Sequence, residues 1–381
     1  LVKGLEEKTF YFDQKKANSA LDWIEGHCFH TEGPKAPKNL SLELWQKAMI
    51  SAIFGIVDEN GYRQFREILL VVGRKNGKSL LAAAIANYVF RVEGGFGTRV
   101  YCLAPKLEQA DIIYNSVWAM ITLDPEWQKA RDHCNEKNKQ RVKINYDSML
   151  AKRRVVDLSI SGTNSTVKKL AFSAQRSDGF NPSICICDEV ASWSGDKGLK
   201  QYEVMKSGMG ARPEPLLLSC TTSGYINDSI YDELIKRSTR FLLGDSKERR
   251  LLPLLYMIDD LEKWSDIGEL AKSNPNLGVS ISVDYLLEEI AIAEGSLSKK
   301  VEFITKYCCL KQSSSAAWLS AQVVEAASGP PLTLNDFRGS YCVGGIDLSQ
   351  TTDLTACCVV IEKGGELYVF SKFRICRKHL F

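Results

Sequence analysis

Through the middle of the chain, short unbroken apolar runs alternate with stretches of helical period. The run Ile68-Leu69-Leu70-Val71-Val72 precedes a helical pattern over 79–92, and the run over 99–104 precedes one over 106–121. Further strand-like runs lie at 155–160, 170–173, 183–187 and 216–220. A strand that is apolar on both faces must be covered on both faces, and an intervening helix supplies the crossover that parallel pairing needs. The pattern predicts an α/β fold with a mainly parallel sheet.

A chain of 381 residues is long enough for roughly two to three domains. We expect a helical region over 1–66, an α/β core over 67–225, and a helical lid or linker over 226–335, where no strands are read. Strands return over 336–381, where a Gly364-Gly365 turn gives a hairpin signature. Helices are expected at 230–237, 261–270 and 283–310. Lys plus Arg number 49 and Asp plus Glu 46, so the net charge of +3 neither demands nor excludes a polyanion partner. No run is long and apolar enough for a membrane span, and the first residues lack a signal-peptide core. The chain does not start with Met, and it is read as a piece that can extend at either end. Cys185, Cys187, Cys308, Cys309, Cys357 and Cys358 sit in apolar runs without a CxxC pair, which fits reduced core thiols. His27-Cys28-Phe29-His30 is the one metal-like cluster, and it has no evident fourth ligand.

The strongest local signal is Val72-Gly73-Arg74-Lys75-Asn76-Gly77-Lys78-Ser79, between a strand and a helix. Gly77-Lys78-Ser79 matches the end of a Walker A loop, while Val72 occupies its first glycine position and Gly73 follows one residue late. Backbone N–H groups from Gly73 through Arg74, Lys75, Asn76 and Gly77 can cradle phosphate oxygens. Lys78 would neutralise the β and γ phosphates of ATP, and the Ser79 hydroxyl would bind Mg²⁺. A basic turn capping a helix gives the same residues. A second element adds weight: the apolar strand over 183–187 ends in Asp188-Glu189, a Walker B arrangement. Asp188 would serve the Mg²⁺ shell and Glu189 would polarise the attacking water. At least one strand lies between Lys78 and Asp188, which suits the additional-strand, catalytic-glutamate class of P-loop ATPases.

Together these elements resemble the large terminase subunit of tailed phages, the DNA-packaging ATPase, in its HK97-like branch. The matching stretches are Leu44-Trp45-Gln46, Arg74 to Ser79, Asp178-Gly179-Phe180-Asn181-Pro182, Asp188-Glu189, Thr221-Thr222-Ser223-Gly224, Asn274-Pro275-Asn276 and Gly345-Ile346-Asp347-Leu348-Ser349. They stand in the family's order and cover nearly the whole chain. The resemblance implies that Gln46 reads adenine and that Arg74 contacts phosphate, with the Lys75 side chain facing solvent. It implies that Arg176 reaches a neighbouring subunit's nucleotide, although a surface salt bridge would explain Arg176 almost as well. Thr221 and Thr222 become the motif coupling hydrolysis to lid movement.

The resemblance further implies an RNase H-like nuclease beginning at 336. Asp347 would be its first Mg²⁺ or Mn²⁺ ligand, and Asp353 either a second ligand or a turn cap. The remaining ligands are expected beyond Phe381. Implied partners are double-stranded DNA, a portal protein, a small terminase subunit and identical copies in a ring, pentameric by resemblance. The implied place is the host cytoplasm, transiently on the procapsid portal and not in the mature virion. Phosphate contacts to DNA are sought at Lys137, Lys139, Arg141 and Lys143, at Lys152-Arg153-Arg154, and at Lys168-Lys169. Solvated loops give similar runs. A helicase would need a second RecA-like domain, which 225–340 does not show, and an inert nucleotide-binding scaffold would not need Lys78, Asp188 and Glu189.

Overall fold

The computed structural model of the protein describes residues 2–129, 131–132, 151–153, 157–172, 179–193, 195–227, 229–312, 332–348 and 354–375. The chain divides into two compact units, Leu1–Trp318 and Leu319–Phe381.

The first unit is built on an eight-stranded sheet. Its strands are β1 (Glu67–Val71), β2 (Arg99–Ala104), β3 (Ala151–Arg153), β4 (Asp157–Ile160), β5 (Ser165–Ala171), β6 (Ile184–Asp188), β7 (Leu216–Thr221) and β8 (Leu251–Leu255). Their spatial order is β8-β1-β7-β6-β2-β5-β4-β3. Neighbours from β8 to β5 pair in parallel, and β4 and β3 are antiparallel additions at one edge. The side-chain period of 2 sorts the core into two layers. Ile68, Leu70, Val100, Cys102, Ile184, Ile186, Leu216 and Leu218 join one cluster. Leu69, Val71, Tyr101, Leu103, Cys185, Cys187 and Leu217 join the other.

Helices cover both layers. On the first lie α1 (Gln14–His27), α2 (Leu44–Gly55), α3 (Lys78–Tyr88) and α4 (Leu107–Leu123). Asp13 caps α1 by accepting the Lys16 N–H, and α1 buries Ala17, Ala20 and Ile24, the spacing of one helical stripe. On the second layer lie α5 (Gly195–Gly208) and α6 (Ile230–Leu242).

Some expectations are corrected. The region from 226 onward contains the strand β8, which pairs with β1 at the sheet edge. Pro253 lies inside it, which lowers its strand signal in sequence but is tolerated where no neighbour needs the missing N–H. β5 begins at Ser165, ahead of the expected 170, because Lys168 and Lys169 interrupt the apolar run while Ser165 and Val167 face inward. The expected helix at 261–270 is a short 3₁₀ turn followed by α7 (Ile267–Ser273), restarted by Asp266 accepting the Glu269 N–H. The expected single helix at 283–310 is α8 (Val283–Glu294) and α9 (Leu297–Lys306), separated by Gly295-Ser296. These helices enclose their own apolar cluster, including Trp264, Leu270, Leu286, Phe303 and Tyr307.

The second unit holds an antiparallel meander of β9 (Cys342–Asp347), β10 (Leu354–Lys363) and β11 (Glu366–Ile375). Gly364 and Gly365 form the hairpin turn with φ of 68° and 83°, positive values that the right-handed twist of the flanking strands favours. Cys185, Cys187, Cys308 and Cys309 are buried free thiols, as expected, whereas Cys357 is exposed and Cys358 half-buried. Among the described residues no helix is long and apolar enough to cross a membrane.

Candidate active site

The parallel strands deliver their C-terminal ends to one edge, the usual ligand edge of an open α/β sheet. Val71 pairs with Thr221 and Asp188 with Cys220, so the loop after β1, the tip of β7 and the tip of β6 are neighbours. β7 lies between the loop strand β1 and the carboxylate strand β6. The strands expected between Lys78 and Asp188 in sequence are β2 to β5, whereas β7, the strand inserted between β1 and β6 in space, follows Asp188 in the chain.

The loop from Gly73 to Gly77 wraps the N-terminus of α3, with Gly77 as N-cap at φ 79°. The Asn76 amide folds back beneath it and donates to the carbonyls of Gly73 (3.0 Å) and Arg74 (3.2 Å). Ser280 donates to the Lys75 carbonyl (2.6 Å), and Asn276 to the Asn76 carbonyl (3.1 Å). In a trans peptide the N–H points opposite to the carbonyl. The N–H groups of Lys75, Asn76 and Gly77 therefore face away from these anchors, as an anion cradle requires. The late glycine also has a reason. A Cβ on Gly73 would lie 2.2 Å from Asn274 Oδ1 and 3.0 Å from the Ser273 carbonyl. Arg74 and Lys75 are exposed.

Lys78 and the carboxylate pair meet. Lys78 Nζ lies 2.8 Å from Glu189 Oε1. Burial works against its charge, but Glu189 and Asp188 override burial and raise its pKa. Asp188 is buried, and its Oδ1 has no hydrogen-bond partner. Burial first, then the Glu189 charge, push its carboxyl up to about 7 against the pull of Lys78. An unpartnered buried carboxylate oxygen fits a divalent cation, with Ser79 opening the neighbouring helix.

Glu189 adopts φ 50° and ψ 49°, the left-handed region. Its N–H donates to the Cys220 carbonyl at 2.7 Å, and its carbonyl accepts the Ser192 N–H at 2.8 Å. Its Oε2 accepts the Thr221 hydroxyl and the Thr222 N–H, both at 3.4 Å. The structure thus sets Thr221 and Thr222 against the glutamate.

Beside the loop lies a cavity of about 310 Å³ lined by residues including His30, Leu42, Gln46, Gly77, Leu80 and Asn276. Gln46 Oε1 accepts the Glu43 N–H at 2.9 Å in a capping box, which directs its amide NH₂ elsewhere. Lining by His30 and Leu42 was not legible in sequence. The metal-like cluster is dispersed: His27 bonds Asp124 (3.1 Å), Cys28 is buried, and His30 lines the cavity.

Arg176, Asp178 and Asp353 lie outside the described residues, as do Lys137, Lys139, Arg141, Lys143 and Arg154. Asp347 ends β9, pairs in register with Ala356, and is exposed. Lys169 is tied to Asp111 in an ion pair, so it is not a free phosphate contact. The roles of Asn274 and Asn276 were missed, although Asn274-Pro275-Asn276 was visible as a motif, because their partners lie some two hundred residues away in sequence.

Known families and proteins match the chain along most of its length. The family described as terminase large subunit, ATPase domain, matches residues 44–240, and terminase large subunit, endonuclease domain, matches residues 252–378. Protein YmfN of Escherichia coli (strain K12) is 30% identical over 183 residues, covering 48% of this chain and 39% of YmfN. The terminase large subunit of Lactococcus phage p2 is 24% identical over 366 residues, covering 94% of this chain and 63% of that protein. The chain thus spans less than two thirds of the length of these curated relatives. The crystal structure of the HK97 bacteriophage large terminase shares the fold, with a TM-score of 0.61 at 20% identity over 94% of this chain and 67% of that one. With the ATPase-domain match spanning more than half of the chain and the endonuclease-domain match following it in order, the chain belongs to the terminase large subunit family.

Proposed function

We propose that this chain is the ATP-hydrolysing motor that drives viral double-stranded DNA into a procapsid, followed by the start of the endonuclease that cuts concatemers. The observation that carries this reading is the convergence of Lys78, Asp188 and Glu189 on one sheet edge beside a loop whose carbonyls are turned away.

The residues suggest a division of labour. The N–H groups of Lys75, Asn76 and Gly77 and the Lys78 ammonium bind the phosphates, and Arg74 reaches them from the exposed side. Gln46 and the cavity beside it take the adenine. Ser79 and Asp188 would hold a magnesium ion, which when bound supplies charge neutralisation at the phosphate oxygens. Phosphate oxygens compete with Glu189 for Lys78. The freed Oε1 orients a water and takes its proton, while Oε2 stays with Thr221 and Thr222. A change at Glu189 thereby reaches β7. The loop itself is joined to the lid by Gly73 N–H to the Ser273 carbonyl (3.0 Å) and Arg74 N–H to the Lys306 carbonyl (2.9 Å).

Arg176 acts on a neighbour's nucleotide within a ring, pentameric in the family, seated on the portal and served by a small terminase subunit. Asp347, with Asp353, begins the Mg²⁺ or Mn²⁺ nuclease site. The chain works in the host cytoplasm and leaves before the virion matures. The test is ATP turnover with double-stranded DNA present. Lys78→Ala and Glu189→Ala should each lower turnover by about 10² or more. Equal turnover in parent and variants would leave an inert nucleotide scaffold.

A further inference from the structure

The phosphate loop is held from outside. Every carbonyl from Gly73 to Asn76 accepts from Asn76, Ser280 or Asn276. Asn76 is itself fixed by the lid: its Nδ2 donates to Asn274 Oδ1 at 2.9 Å, and its Oδ1 accepts the Asn276 N–H at 2.9 Å. Asn274 is anchored in turn by donating to the carbonyls of Leu270 and Tyr307, both at 2.9 Å. Asn76, Asn274 and Asn276 are 0%, 1% and 5% exposed, so an amide left without partners there would be costly. A fully bonded buried network holds one geometry.

Asn276 occupies the junction. Its Nδ2 holds the Asn76 carbonyl, while its Oδ1 accepts the Trp45 indole N–H at 2.6 Å. Trp45 precedes Gln46 on α2 and rests edge-on against Tyr256 at 5.3 Å. Asn276 also lines the cavity that Gln46 lines.

We propose that Asn276 is a positioning residue for the phosphate chain. Through Asn76 it keeps the loop N–H groups turned toward an anion before one binds, and through Trp45 it ties that setting to the helix that carries the base-reading glutamine. The inference rests on the nucleotide-binding reading given above. Preorganisation of this kind strengthens binding by removing the cost of ordering the loop.

The test is titration calorimetry of the full chain with ADP and with inorganic tripolyphosphate, which has no base. Asn276→Ala removes both side-chain bonds and should weaken both ligands roughly tenfold or more. Trp45→Phe removes the indole N–H and trims the ring that rests on Tyr256, and it should weaken both roughly fivefold, with its thermal midpoint within a few degrees of the parent. If Asn276 merely touched the base, ADP would weaken and tripolyphosphate would not, and the proposal would fall. Unchanged affinities in both variants would also overturn it. Should Asn276→Ala fail to fold, the tripolyphosphate result for Trp45→Phe decides. Lys78→Ala separates the two readings: loss of both ligands there, with parent-like binding by Asn276→Ala, would keep the nucleotide site and discard the positioning role. A parent chain that binds neither ligand would overturn both.

Discussion

Glu189 shows how one residue can be placed by backbone rather than by sequence pattern. Its left-handed conformation costs a non-glycine residue about 1–2 kcal/mol. It is held there by the Cys220 carbonyl, by Ser192 and by Lys78. Strain of this size persists where surrounding contacts over-determine it, and such positions cluster at functional sites. Glu189→Gln keeps the shape and the Thr222 contact but removes the base. Nucleotide affinity is expected to stay within about threefold of the parent while turnover falls by about 10² to 10⁴, checked by equilibrium binding alongside steady-state hydrolysis. Gly73 carries the opposite lesson, since a side chain there would collide with Asn274. Gly73→Ala should destabilise the chain by about 1–3 kcal/mol in urea unfolding and weaken nucleotide binding as well. A variant that binds and unfolds like the parent would show that Asn274 can step aside freely.

At the scale of elements, β1, α5 and α6 are joined by ions as well as by apolar contact. Glu67 on β1 accepts from Arg237 on α6 at 2.7 and 2.8 Å, from Tyr202 on α5 at 2.6 Å, and pairs with Lys206 at 3.0 Å. Burial alone would raise the Glu67 carboxyl, but Arg237 above all holds it down at about 2. A carboxyl whose folded pKa is depressed stabilises fully above its ordinary value of 4.5, and that stability is lost as pH falls toward about 2. The contribution at neutral pH is about 3 kcal/mol, shared among its partners. Glu67→Gln should flatten the acid limb of the stability profile between those values, measured by urea unfolding at a series of pH values. Arg237→Met leaves the buried carboxylate with Tyr202 and Lys206 alone and should cost about 2–3 kcal/mol at neutral pH.

For the whole molecule, the division into two units gives a thermal expectation. Calorimetry should resolve separate transitions for Leu1–Trp318 and Leu319–Phe381, because each has its own sheet. ADP at about a hundredfold above its dissociation constant adds about 2.7 kcal/mol to the unit it binds. Only the transition of the first unit should therefore rise. Asp347→Ala lies in the second unit and should leave both ADP affinity and ATP turnover at parent levels. A single transition that shifts as a whole would show that the units unfold together.

Much of the nucleotide site was readable because its signals are local. A strand, a Gly-Lys-Ser turn and a helix are contiguous, and apolar runs covered on both faces announce a parallel sheet. Asp188 and Glu189 were legible for the same reason, at the end of one such run. The edge strand β8 was obscured by Pro253 and by the basic residues before it, since an edge position relaxes the very pattern that identifies a strand. What no local window contains is the company each residue keeps. Only the tertiary structure brought Asn274 and Asn276 beneath the phosphate loop, Trp45 onto Asn276, and Thr221 against Glu189. Local sequence sets backbone preference and the period of burial, whereas hydrogen-bond partners distant along the chain are chosen when buried polar groups must all be satisfied at once.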